Sequence, residues 1–338
     1  MISIGVIGYG YWGPNIVRNF QSLDLGCVKQ VSDLDPKVLA KAKKAYPSIN
    51  VTTDCHEILR SPDLDAVAVI TPVGTHYPLV KEALENGKHV FVEKPFTDSV
   101  PHAEEIVELA EKKNLKIMVD HTFLFTGAVK KTKELIDQDV LGTIYYYDSM
   151  RVNLGLFQTD VNVIWDLAPH DLSIMQYLIK SKPRAVVATG ECHVNGMEDV
   201  AYITVYFENN VIAHFNVNWL SPVKVRTTLI GGEKKMLVWN DLEPDEKIRV
   251  YDKGVNRTNG NGNGNNAVHE MLVSYRMGDV WSPRIAQIEA LKAETEYFVD
   301  CVEKDEKPFN DGVAGLEIVK MLAAANKSLS KKGGMVYL

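Results

Sequence analysis

One turn near the N-terminus constrains this chain more than any other feature. Gly8-Tyr9-Gly10-Tyr11-Trp12-Gly13 is a G-x-G-x-x-G that follows an apolar run, Ile2–Ile7, and opens a helical pattern at Pro14–Ser22. In that setting the first glycine permits the tight turn, the second lets the backbone approach a pyrophosphate, and the third lets helix pack on strand. The helix N-terminus adds unpaired N–H groups and the positive end of its dipole. Gly8, Gly10, Tyr11, Trp12 and Gly13 are therefore expected around the phosphates of a dinucleotide. Asp33 lies 20 residues after Gly13, at the end of the apolar run Val28–Ser32. An acidic residue there accepts hydrogen bonds from ribose hydroxyls and repels a 2′-phosphate, which favours NAD over NADP. Asp35, just before Pro36, reads instead as the start of the next helix.

The motif sits in a repeating pattern. Apolar runs at Ala66–Ile70, His89–Val92 and Lys116–Val119 alternate with helical patterns at Pro36–Ala45, His76–Asn86 and Ser99–Lys113. Near-continuous apolar strands between helices imply a doubly wound parallel sheet with right-handed crossovers. The pattern changes after Thr122. A helix at Ala128–Gln138 and a long strand at Ile144–Leu154 are followed by a helix starting near Pro169. Strands joined by short turns then run from Arg184 to Tyr251, and helices at Ile285–Glu303 and Gly312–Leu329 close the chain. Consecutive strands with tight turns pair antiparallel. The expected architecture is an α/β Rossmann domain over residues 1–122, then an α+β domain over 123–338 with a large, mostly antiparallel open sheet. The Asn/Gly tract Asn259–Asn266 reads as a surface loop.

Composition excludes several classes. A net charge of -7 over 338 residues argues against nucleic acid as a partner. Apolar runs break well before the ~18 residues that a membrane span needs. The first residues, Met1–Ile7, read as a strand and not as a leader, and Cys27, Cys55, Cys192 and Cys301 are too scattered for a zinc knuckle or disulfide scaffold. A cytoplasmic protein with reduced thiols is expected. Without a secretory leader, Asn256-Arg257-Thr258 is a chance glycosylation pattern.

Several segments, in order, resemble the family of glucose-fructose oxidoreductase and inositol dehydrogenase (Gfo/Idh/MocA). They are the glycine motif, Thr71-Pro72 with His76, Glu93-Lys94-Pro95, and Asp166-Leu-Ala-Pro-His170-Asp171. Glu294–Asp300, Pro308 and Asp311-Gly312 complete the pattern. Within the family, the tract from Arg151-Val-Asn153 to His170 looks most like 3-dehydrogenases of UDP-linked N-acetylhexosamines. The resemblance implies NAD as cofactor, a sugar or nucleotide-sugar substrate, and a homodimer or homotetramer formed through the second domain's sheet. It also implies that Thr71, Pro72, His76, Glu93 and Lys94 line the cofactor.

Oxidising a secondary alcohol with nicotinamide needs a positioned carbinol carbon, a base for the hydroxyl proton, and stabilisation of the developing alkoxide. Lys94, just past a strand's carboxyl end, is on the rim where open α/β sheets bind ligands, and its ammonium can hold the substrate hydroxyl and relay a proton. Asp166 and His170 are four residues apart and share a face in a helical turn. His170 is the natural general base; Asp166 either orients substrate hydroxyls or holds the His170 tautomer. The blander alternative is a helix cap and a core histidine. Lys94, Asp166 and His170 are the expected catalytic set and also contact substrate. Arg151 and Asn153 share a strand face that either binds substrate or is merely an exposed polar face. His76 either lines the cofactor or begins a helix capped by Thr75. No metal is expected, because no companion ligands accompany Asp166 and His170. The expected function is an NAD-dependent sugar dehydrogenase, acting at C3 of a nucleotide-linked amino sugar. The alternatives are a free-polyol dehydrogenase, an NAD-dependent glycosidase and a non-catalytic NAD-binding regulator.

Overall fold

The computed structural model describes residues 1–258 and 272–338, so the Asn259–Asn266 tract lies outside the described residues. The chain divides into two compact units, residues 1–126 with 288–323, and residues 127–287 with 324–338. A single cut after residue 122 does not describe these units.

In the first unit, β1 (Ile2–Ile7), β2 (Gly26–Ser32), β3 (Asn50–Thr52), β4 (Ala66–Val69), β5 (His89–Glu93) and β6 (Ile117–Asp120) form a parallel sheet. Its order is β3-β2-β1-β4-β5-β6. The order reverses between β1 and β4, the switch point outside which such sheets bind ligands at their carboxyl ends. The intervening helices are α1 (Gly13–Gln21), α2 (Pro36–Ala45), α3 (Cys55–Leu59), α4 (His76–Glu85) and α5 (Val100–Lys113). Every residue of β4 and β6 is buried, as the continuous apolar runs demand. Sequence patterning missed β3 and α3, which are too short to show a period.

Residues 288–323 join this unit because they complete its core. Phe298, on the helix Ala290–Glu303, meets Phe20 of α1 and Phe91 of β5 edge to face, with centroids 6.1 and 5.7 Å apart. All three rings are fully buried. Each such pair contributes about 0.5–1.5 kcal/mol beyond its area burial.

The second unit contains α6 (Gly127–Asp137), β7 (Ile144–Leu154), α7 (Val163–Leu178) and β8 to β14. These last strands are β8 (Pro183–Glu191), β9 (Val200–Phe207), β10 (Ile212–Asn218), β11 (Leu220–Gly232), β12 (Met236–Asn240), β13 (Ile248–Thr258) and β14 (Leu272–Trp281). With α8 (Ala290–Glu303), α9 (Gly312–Ser330) and β15 (Val336–Tyr337), they complete the element order. The helix expected from Ile285 begins five residues later, at Ala290. The nine-stranded sheet runs β14-β13-β12-β11-β7-β10-β9-β8-β15. Only β7 and β10 pair parallel, so the expected mostly antiparallel sheet is present. No helix among the described residues is long and apolar enough to cross a membrane.

Candidate functional site

The carboxyl ends of β1, β4, β5 and β6 carry the first unit's candidate groups. Gly8 has φ +97°, and a Cβ there would lie 2.1 Å from the Ile70 carbonyl oxygen. A Cβ on Gly13 would lie 2.4 Å from the Gly8 carbonyl oxygen, whereas Gly10 has nothing within 4 Å of that point. The turn and the helix contact therefore forbid side chains at Gly8 and Gly13, while Gly10 leaves an open approach for a phosphate. Gly8→Ala is expected to abolish NAD binding or folding, read by nucleotide titration and thermal melting; near-normal binding would contradict this account of the turn.

Asp33 follows the end of β2 beside this turn. Its Oδ2 accepts the Tyr9 N–H at 2.7 Å and its Oδ1 accepts the Asp35 N–H at 2.9 Å. The carboxylate thus braces the glycine turn. Asp35 caps α2, accepting the Lys37 N–H at 2.8 Å. Tyr11 is exposed, while the Trp12 indole N–H turns inward and donates to Asp120 Oδ2 at 3.0 Å.

Thr71 and Pro72 stand at the open end of β4. His76 does not join them on the surface. It is fully buried, with Nδ1 2.9 Å from the Pro95 carbonyl oxygen and Nε2 2.8 Å from the Thr71 carbonyl oxygen. The two carbonyls favour an imidazolium, but burial, the larger effect, holds its pKa below the usual histidine value. A neutral ring donates to one carbonyl only. His76 therefore ties the Thr71 loop to the turn that carries Lys94, and is not placed to touch a cofactor. Thr75 makes no cap: its hydroxyl lies 2.7 Å from both the Pro72 carbonyl and the Thr71 hydroxyl.

Glu93 and Lys94 are both half-buried at the end of β5, before the cis peptide Lys94–Pro95. On the neighbouring strand end, His121 is buried and neither ring nitrogen has a hydrogen-bond partner among the described residues. Burial and the Lys94 charge push its pKa down to about 3, so the ring is neutral. Asp54, Cys55 and His56 come together on α3, but Asp54 caps the helix and His56 meets Glu82 at 3.0 Å, so local structure accounts for them.

In the second unit, α7 begins at Val163 and not near Pro169. The Asn162 side chain caps it by accepting the Trp165 N–H at 3.2 Å. Asparagine is a strong cap, and it overrides the preference of proline for a first turn. Asp166 therefore lies in the first turn, near the positive end of the dipole, and His170 follows one turn later on the same face. Both are half-buried. The Trp219 indole donates to Asp166 Oδ2 at 3.1 Å, a positioning contact that sequence patterning missed because Trp219 is 53 residues away. Asn153 closes on the same corner: its Nδ2 and the Trp219 Cδ1 lie 2.9 and 3.1 Å from where a Gly155 Cβ would stand. Arg151 is buried, and its guanidinium makes a two-point contact with buried Asp171 of α7, at 2.7 and 3.0 Å. The β7 face carrying Arg151 is thus covered by α7 rather than exposed, and Arg151 is committed to the interior rather than to a ligand.

Comparison with known proteins supplies the family. Residues 2–121 match the GFO/IDH/MocA oxidoreductase family, NAD-binding Rossmann fold, and residues 129–238 match the GFO/IDH/MocA C-terminal domain. The chain belongs to this family. Among GFO/IDH/MocA relatives, the UDP-N-acetylglucosamine 3-dehydrogenase of Acidithiobacillus ferrooxidans is 25% identical, over 95% of this chain and 94% of its own length. An uncharacterised oxidoreductase of Bacillus subtilis is 28% identical over 63% of this chain, so the match spans 65% of that relative, just under two thirds. The crystal structure of Lactobacillus casei scyllo-inositol dehydrogenase with bound NAD(H) and scyllo-inositol shares the GFO/IDH/MocA fold. Its TM-score is 0.80 at 20% identity, covering 100% of this chain and 99% of that one. The glycine turn, open Gly10 and braced Asp33 fit the NAD that this family's Rossmann domain binds.

Proposed function

We propose that this protein is an NAD-dependent oxidoreductase that transfers a hydride between nicotinamide and a ring carbinol carbon of a sugar, at C3 of a nucleotide-linked amino sugar. The observation that carries the reading is the Asp166–His170 pair on one face of α7, with Asp166 fixed by the Trp219 indole. A helix cap and a core histidine would need no such brace. The likeness to a UDP-N-acetylglucosamine 3-dehydrogenase over nearly the whole chain supports the substrate class.

NAD, when bound, supplies the hydride acceptor or donor. Lys94 donates to the substrate hydroxyl and stabilises its negative charge as the C–H bond breaks. His170 takes the hydroxyl proton, and Asp166 orients the substrate through an adjacent hydroxyl. Asn153, beside Trp219, adds a polar contact. Arg151 has no part in this step. Such chemistry on free nucleotides and activated sugars belongs in the cytoplasm.

The test is a panel of UDP- and TDP-linked sugars and free polyols with NAD or NADP, followed by absorbance of reduced nicotinamide. Reduction of NAD by one nucleotide-linked amino sugar supports the reading. Turnover of inositol alone moves the protein to the free-polyol dehydrogenases. Glycoside cleavage without net NADH means a glycosidase. Silence with saturable NAD binding favours a regulator.

We also infer that a second copy of the chain covers the open face of the nine-stranded sheet. Register places Met150, Tyr202, Ile212 and Leu229 on that face, and all four are exposed. These exposed apolar side chains, interspersed with Asp148, His214 and Asn216 on the same face, suit an isologous contact. Leu229→Lys is expected to shift the protein towards monomer in light scattering; an unchanged mass would remove this face as the contact.

A further inference from the structure

Behind the glycine turn lies a pair of carboxyl groups that cofactor binding does not explain. Glu294 of α8 is fully buried, and so is Asp120 at the end of β6. The two side chains are within hydrogen-bonding reach of each other. Asp120 is already supplied with donors: the Trp12 indole reaches its Oδ2 at 3.0 Å, and the Thr122 hydroxyl reaches its Oδ1. Glu294 is supplied less fully. Its Oε1 receives a long contact, 3.4 Å, from Asn310 Nδ2, the Thr122 hydroxyl and the His121 backbone N–H also reach the carboxyl group, and its Oε2 is buried with no hydrogen-bond partner among the described residues. Two adjacent buried carboxylates disfavour double ionisation, and a buried oxygen without a partner beside a good acceptor is the place for a proton.

We propose that Glu294 is a neutral carboxylic acid that donates a hydrogen bond to Asp120, and that this shared proton positions Trp12 and with it the dinucleotide turn. The O–H takes the place of the missing donor, so the pair carries one negative charge instead of two. That single charge accepts the Trp12 N–H and pins the last part of the Gly8–Gly13 turn against the strand end. Glu294 is thus a positioning residue, acting on the cofactor through Asp120 and Trp12. Burial and the Asp120 charge raise its pKa well above the ordinary carboxyl value, in keeping with this arrangement. The titratable groups beside the pair include His121, held neutral by burial and the Lys94 charge, and Glu93, which stands opposite Asp120 in the β5–β6 register. Thr122 and Asn310 are uncharged.

A group whose folded pKa lies above its unfolded value stabilises fully below the unfolded pKa and loses that contribution as pH rises through the folded pKa. The parent protein should therefore melt at lower temperature, and bind NAD more weakly, towards alkaline pH. Glutamine keeps the shape and supplies an N–H donor to Asp120, but does not titrate. The experiment measures NAD affinity and melting temperature from mildly acidic to alkaline pH for the parent, Glu294→Gln and Glu294→Ala. Alanine is expected to weaken NAD binding by about tenfold or more, as a hydrogen bond to a charged group is lost. Glutamine is expected to rescue most of that loss and to flatten both pH profiles. If Glu294→Gln keeps the parent's pH profile, or binds NAD as poorly as Glu294→Ala, the shared proton is overturned. The inference rests on the NAD reading of the turn, but the melting profiles do not need NAD. A parent that binds no NAD refutes that reading alone, while the difference between the parent and Glu294→Gln melting profiles still decides the proton. Should Glu294→Ala fail to fold, the parent-against-glutamine comparison stands.

Discussion

Lys94→Met should lower turnover by about 10²–10⁴-fold while NAD affinity stays within about threefold. The methionine keeps the length of the side chain and removes its charge and donors. What is lost is stabilisation of negative charge on the reacting oxygen, which is worth most where water is excluded. Lys94 is half-buried at the end of β5, and the His76 contact to the Pro95 carbonyl holds the following turn. His170→Asn, which keeps a polar side chain but removes the base, should fall in the same range. Initial rates with the substrate found in the panel, together with nucleotide titration, make the measurement. Rates near the parent's for either variant would leave a non-catalytic NAD-binding role as the better reading. A loss confined to NAD affinity would make Lys94 a cofactor contact alone.

The second large effect concerns stability and has nothing to do with catalysis. Asp171→Ala should destabilise the protein by about 3–5 kcal/mol, because it removes the two-point carboxylate partner of the buried Arg151 guanidinium. The contact is two-pointed, at 2.7 and 3.0 Å, and both partners are buried. The double variant Arg151→Met with Asp171→Leu should recover most of that loss, since neither charge then needs a partner. A double-mutant cycle by chemical denaturation measures the coupling. A cost below about 1 kcal/mol for Asp171→Ala would mean that water reaches the guanidinium, and would reopen Arg151 as a ligand contact.

These contrasts show where reading along the chain succeeds. The glycine turn, the strand-helix alternation and the change of pattern after Thr122 are local, and the structure follows them. The cap of α7 was legible in principle, since Asn162 precedes an apolar run, but Pro169 offered a competing start signal. The second-unit face of Arg151 and Asn153 was recognised as shared, yet nothing along the strand says that α7 lies over it.

Sequence by itself determined the dinucleotide turn, the parallel sheet beneath it and the antiparallel sheet that follows. These depend on periods, turns and spacings within a few residues of each other, whereas the proposed set Lys94, Asp166 and His170 rests on the resemblance to the family as well. Only the tertiary structure decided what each polar group faces. It buried His76 between two carbonyls, closed Arg151 on Asp171, set Trp219 on Asp166 and brought Glu294 to Asp120. The last of these partners are 174 residues apart by number, 294 less 120. A buried polar group takes whichever partner the packing of distant elements brings within about 3 Å, and that partner leaves no trace in the local pattern.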